Sequence, residues 1–366
     1  MTARKRRRVK VALATLAAAW LAKTFLLPFL FPPYHPDRTP KMDNIPPRIA
    51  ALFEKTRPVC FGRFMIDVPE TARVVWGPAD VPYKFVTYPG EGPKLRVEIA
   101  TKVQEISSEK HNEEPSMLIG FFESVNPESK IVVGYQSTID AFFAQLHSYI
   151  RLGQTAFVQS IPSTGLFVSD KSVSSGRRHD KTAYKRYVEE LQDIARRLRL
   201  RADDEAPEES GVCLESAFLP SSLDYATEHI RIGFRFPEYP DVSVSIWTHS
   251  TDRVIPGNTM ASALESGREY ARIMGMSLAY ARIETLREGE RAMGPWEGDE
   301  LLERLPHHDG MPSVHSFRFI TPGKAKDMLH PTVDLKLRTG VQENELAAVK
   351  PSLDNDETVA LWDKLT

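Results

Sequence analysis

The chain has 366 residues, of which 42% are hydrophobic and 26% charged. That composition excludes global disorder, a collagen-like fibre and a multi-span membrane protein, and the length suits two domains. Two cysteines exclude a four-cysteine zinc site and a disulfide-dense scaffold.

The formal charge of −2 is unevenly spread. Residues 1–36 hold seven Lys/Arg and no acid, which leaves 40 basic against 49 acidic residues in the rest. A net-acidic body is not a nucleic-acid binder. Residues 11–31 (VALATLAAAWLAKTFLLPFLF) follow the basic run Arg4–Arg8. At helical rise they reach roughly 30 Å, one hydrocarbon core. The leading cations keep that end cytoplasmic and send the body outward. The segment reads as an uncleaved inner-membrane anchor, although Lys23 within the span costs about 2.5–3.5 kcal/mol unless it snorkels, and Pro28 interrupts the helix. A cleaved signal peptide is the competing reading, for which Trp20, two residues before Ala22, fits the cleavage pattern poorly. A proline-rich spacer over 37–50 follows.

The body shows an internal echo. Val59-Cys60 opens one half, expected over 51–201, and Val212-Cys213 opens a second, over 212–366. Three segments, Pro93–Thr101, Pro240–Thr248 and Pro331–Thr339, each follow a proline with three alternating apolar positions and end on Thr. That alternation predicts half-buried strands, as do Ile230–Phe236 and Ser313–Ile320. Any sheet protein yields such strands, but the similar Cys-to-Pro offsets favour a duplication. Helices are expected at Ile139–Arg151, from the shared face of Phe142, Phe143, Leu146 and Ile150, and at Thr182–Leu200. Another is expected at Thr259–Met274, capped by Asn258, with Met260, Leu264, Tyr270 and Met274 inward. A last one spans Asp356–Leu365 behind Asp354 and Asn355. The basic cluster Arg196, Arg197, Arg199 and Arg201 reads as a solvated helix end. The acidic stretch 202–211 reads as the linker. The expected fold is α+β: two similar lobes, each an antiparallel or mixed sheet with packed helices, behind one transmembrane helix.

Chemistry is sparse. No G-x-S-x-G elbow, H-E-x-x-H motif, Walker loop or dinucleotide fingerprint occurs. His307, His308 and His315 with Asp309 read as a surface loop, because their spacing matches no metal site. Asp67 and Glu70 belong to a strand end and turn. Gly289–Glu303 could form a hairpin with Trp296 packed in the core. Cys60 and Cys213 are the candidate structural disulfide in an oxidising compartment; the alternative is two small buried side chains. No catalytic, metal or cofactor residue is assigned.

The segments VCFGRFMIDVP (59–69) and GVCLESAFLP (211–220), with Pro331–Leu365 and its terminal LWDKL, resemble the two-domain immunity proteins cognate to class-four phospholipase effectors of type VI secretion. The resemblance spans roughly residues 50–366. It implies a non-enzymatic periplasmic protein whose two α+β lobes grip the lipase like a claw and hold its entrance closed. It also implies a protein partner, no nucleic acid, no small-molecule substrate and no cofactor. An interface at or above about 1,600 Å² would serve, with tethering to the inner membrane keeping the inhibitor beside the lipid it protects. The acidic body would suit a basic effector face. A membrane-tethered module binding lipid or cell-wall material is the alternative, and a hydrolase with an unrecognised site a third. Effector-binding residues cannot be assigned from the sequence.

Overall fold

The computed structural model describes residues 41–170, 172, 175–307, 312–341 and 349–366. The expected anchor at 11–31, together with His308 and Asp309, lies outside the described residues. Among the described residues no helix is long and apolar enough to cross a membrane.

Pro46 and Pro47 start the short helix α1 (Pro47–Leu52), where a missing N–H costs nothing. The hairpin β1 (Thr56–Phe61) and β2 (Phe64–Pro69) follows, turning at Gly62 with φ +54°. The chain then enters β3 (Arg73–Trp76), β4 (Ala79–Asp80) and β5 (Lys84–Tyr88). Helix α2 (Leu95–Ser108) leads to the strands β6 (Leu118–Glu123), β7 (Lys130–Tyr135), β8 (Phe143–Leu152) and β9 (Thr155–Gly165). A small ribbon, β10 (Phe167–Ser169) with β11 (Arg177–His179), precedes α3 (Lys185–Arg197).

The second part begins with a three-stranded sheet of β12 (Arg199–Leu200), β13 (Gly211–Leu214) and β14 (Ala217–Pro220). Long strands β15 (His229–Phe236) and β16 (Tyr239–His249) come next, then α4 (Met260–Ile273) and α5 (Ser277–Tyr280). The hairpin β17 (Glu284–Met293)–β18 (Trp296–Leu305), with Trp296 buried, precedes β19 (Val314–Thr321), β20 (Thr332–Arg338) and α6 (Asn355–Leu365). Asp354 and Glu357 form a reciprocal capping box on α6.

The two halves are joined by one sheet. Thirteen strands run in the order β17-β18-β19-β20-β16-β15-β4-β5-β9-β8-β7-β6, with β3 also on β15, and every pairing is antiparallel. The expectation of a separate sheet in each lobe is therefore corrected: β3 and β4 close the first half against β15 of the second. The fold is α+β and mostly antiparallel. One apolar core crosses the boundary, from Ile49, Phe61, Phe157 and Ile194 to Phe234, Phe317, Leu335 and Trp362. A second core fills the first half, around Leu95, Ile99, Ile131, Leu146 and Leu191.

Two expected elements are reversed. Pro93–Thr101 is not a strand: Leu95, Ile99 and Ile106 fall on one helical face and are buried, while Val97 is 67% exposed. Ile139–Arg151 is not a helix: Ala144, Leu146, Ser148 and Ile150 alternate inward along β8, and only the strand phase buries all four. The first segment of the echo thus differs in kind from the other two.

Helix α4 is capped by Thr259, whose hydroxyl accepts from Ser262 N at 3.2 Å, and not by Asn258. Met260 is buried as expected and packs with Ala263 and Leu264 on the sheet, but Tyr270 and Met274 face outward; in the last turns the buried residue is Ala271. Arg201 is buried as well. Its guanidinium donates to the carbonyls of Ala202, Glu205 and Leu214, so this cation organises the following loop.

Candidate binding groove

Cys60 and Cys213 are bonded, with Cα atoms 5.7 Å apart. Beside them Gly62 and Cys213 exchange backbone hydrogen bonds of 2.9 and 2.7 Å. Arg63 makes a bidentate pair with Glu228, through Nε at 2.9 Å and Nη2 at 2.6 Å. These three links fasten the β1–β2 turn to the second half. They are structural: burial raises the Glu228 carboxyl against the pull of Arg63.

The histidines do not converge. His315 sits on β19, not in a surface loop, and is buried between Thr339 Oγ1 and Asn355 Oδ1, each at 2.9 Å. Burial lowers its pKa. His307 lies past the end of β18. Among the described residues no group of three His, Cys, Asp or Glu could hold a metal ion. Asp67 is paired across the hairpin with Pro58, and Glu70 lies in the turn after β2.

The open site is a face of the shared sheet. Residues opposite one another on neighbouring strands point to the same side, so register fixes the surface. One row reads Arg73, Arg235, Ser243, Arg338, Ser316 and Glu303. The next reads Val75, Gly233, Ser245, Lys336 and Arg318. The third is Arg231, Trp247, Asp334 and Ile320. The fourth runs Thr332, His249, His229, Asp80, Lys84, Ser160 and His147, and so crosses from one half to the other.

The same registers locate the walls. Tyr149 and His147 feel the charges of Glu98, Glu105 and Lys102, so α2 lies over this face at the first half's end. Met260 of α4 packs on Leu301 and Ile320, and Tyr280 of α5 feels Glu303, so α4 and α5 lie over it at the other end. Between the helices a cavity of about 560 Å³ opens above Gly233, Ser243 and Ser245. Gly233 keeps this floor low, since a Cβ there would meet Val244 O at 3.0 Å.

The floor is cationic. Asp334 is held ionised: burial would raise its pKa, but Arg318 at 2.8 Å and Lys336 at 2.9 Å keep it below the usual value. Among the described residues no carboxylate pairs with Arg73, Arg231 or Arg338, all exposed. Trp247 stacks on His249 at 5.8 Å, lies 6.0 Å from the Arg231 guanidinium, and its indole N–H meets His229. Asp80 approaches His229 Nδ1 at 3.2 Å. At the α4–α5 rim Ile273, Met274 and Leu278 are exposed, Leu278 by 85%.

An aspartate–histidine pair capped by an indole and set among exposed arginines equips a surface for gripping a partner. Fold and groove define a binding protein of two joined domains. Family models agree: the C-terminal domain of Tle cognate immunity protein 4 matches residues 205–366 and the N-terminal domain residues 57–201. The chain belongs to that family; it is an immunity protein that binds a cognate effector, and not an enzyme. Similar solved structures are a Tle4–Tli4 complex, with TM-score 0.67, and the immunity protein TplEi of the type VI system of Pseudomonas aeruginosa, 0.64 in its apo form and 0.61 with an "L" peptide. Each is 21% identical and covers 85% of this chain, and this chain covers 95–96% of each, which establishes a shared fold. A search of curated proteins finds no match.

No sequence signal marked the groove. Its residues sit on polar strand faces, which look like ordinary solvated positions until β3, β15 and β20 are aligned.

Proposed function

We propose that this immunity protein neutralises a type VI secretion phospholipase effector by stoichiometric occlusion of its active-site entrance, on the periplasmic side of the inner membrane. The observation that carries the reading is the groove to which both domains contribute: a cationic, tryptophan-bearing sheet face flanked by α2 at one end and by α4 and α5, with their exposed apolar side chains, at the other. Blocking an enzyme requires no chemistry, only a slowly dissociating cover with a few well-seated anchors. The shared sheet and the Cys60–Cys213 bond tie the two domains together, which reduces the ordering entropy that opposes binding.

The segment 11–31 would tether the body to the inner membrane, where a phospholipase must work. The disulfide fits an oxidising envelope. Expression with phosphatase fused after residue 366, followed by cell fractionation, tests this placement. Fusion activity in the membrane fraction is expected, and an inactive fusion retained in the reducing cytosol would refute it. Cells lacking the chain should lyse when siblings deliver the effector, whereas complemented cells survive.

A further inference from the structure

Among the described residues no carboxylate pairs with the exposed arginines Arg73, Arg231 and Arg338 of the groove floor, although the body around them is net acidic. We infer that the groove takes an acidic, surface-exposed segment of the effector, seated across β15, β16 and β20 with Arg73 and Arg338 on one side and Arg231 with Trp247 on the other. This rests on the proposed function and specifies the chemistry of the partner.

Register gives the trough its shape. The middle row contributes Gly233 and Ser245, the smallest side chains of the floor. The rows on either side contribute the long cations Arg73 and Arg338, and Arg231. A segment crossing the strands therefore meets guanidinium groups on both flanks over a low centre. Arginine forks suit carboxylates, and a cleft with low-dielectric walls focuses their field. Lys336 and Arg318 already share Asp334, so they fix the middle row in place and leave the outer arginines to the ligand. Trp247, braced by His249 and His229, adds an apolar anchor beside the charges.

The walls select a polypeptide over a membrane. Helices α2 and α4 stand on this face, each about 10 Å thick, so a flat bilayer is held off the floor while a protruding loop or helix reaches it. The groove sign also reverses the match expected from overall charge: the body is acidic, but the surface offered between its lobes is not.

The full chain, purified in detergent, is titrated calorimetrically with the purified phospholipase effector encoded with it. R231E/R338E is compared with wild type, R231K/R338K and the K55E/K185E pair, which makes the same charge change outside the groove. Groove reversal should weaken binding at least tenfold and R231K/R338K by less, since lysine keeps the charge but not the fork, with the outside variant near wild type and thermal unfolding unchanged. Raising salt from 50 to 300 mM should weaken the wild type more than the reversed variant, roughly as screening of surface charges demands. Equal affinity of wild type and R231E/R338E overturns the inference and leaves the proposed function standing, whereas absence of any wild-type complex removes both. Soluble dihexanoyl phosphatidylglycerol titrated into the chain alone should give no binding heat; binding that R231E/R338E abolishes would assign the floor to a lipid headgroup and overturn the inference.

Discussion

Arg63 and Glu228 face one another in a bidentate pair across the boundary between the two family domains, with side chains only 3% and 9% exposed. Neither charge has water to fall back on. Breaking such a pair from one side leaves a buried charge alone. Arg63→Ala should therefore lower stability by about 3–5 kcal/mol. Glu228→Gln, which keeps a hydrogen-bond acceptor, should cost less. Urea denaturation of the two variants checks both the sign and the order.

The Cys60–Cys213 bond closes a loop of 153 residues beside that pair. Under the chain-entropy account, replacing both cysteines with alanine should remove about 4–5 kcal/mol. Reductant should destabilise the wild type by a similar amount and leave the double variant unchanged, as read by denaturant midpoints.

The terminal helix is held by a second buried charge cluster. Arg287 reaches Glu300 at 2.7 Å and Asp363 at 2.5 Å, Arg291 reaches Asp363 at 2.9 Å, and the Trp362 indole donates to Glu300 at 2.9 Å. Burial would raise the Asp363 carboxyl, but Arg287 and the Met42 amide hold it below the usual range. Trp362→Phe keeps most of the packing and strips Glu300 of one donor, so a loss of about 1–3 kcal/mol is expected. Trp362→Ala should cost about 3–5 kcal/mol. Thermal melts of the two variants separate donor loss from cavity.

Glu303 lies under α5 at the groove's end, and burial, with Glu288 nearby, raises its pKa to about 7. The folded state therefore holds this proton more tightly than the unfolded chain. Its contribution is fully present below the ordinary glutamate pKa and is lost as pH rises toward 7. Glu303→Gln should melt a few degrees above wild type at pH 8, with the gap closing near pH 4.5. A gap that grows on acidification would contradict this assignment.

The strands that read directly from sequence are those whose two faces meet different surroundings. In β16 and β20 apolar residues face the shared core and polar ones the groove, so alternation was unambiguous. Leu95–Ile99 also alternates, yet only as the first turn of a helix whose phase shows at Ile106. Around β8 the spacing of Phe142, just before the strand, with Leu146 and Ile150 fits a helix as well as a strand, and pairing with β7 and β9 decides it. The groove was illegible for a stronger reason. Arg73, Arg231 and Arg338 lie far apart in the chain, and only the junction of β3 with β15, and of β16 with β20, aligns them.

Neutralisation by stoichiometric binding is tested by titrating the effector's phospholipase activity with the purified full chain in detergent. Activity should fall linearly and vanish at one equivalent. Activity that persists at a several-fold excess of the chain would rule out blockade by binding.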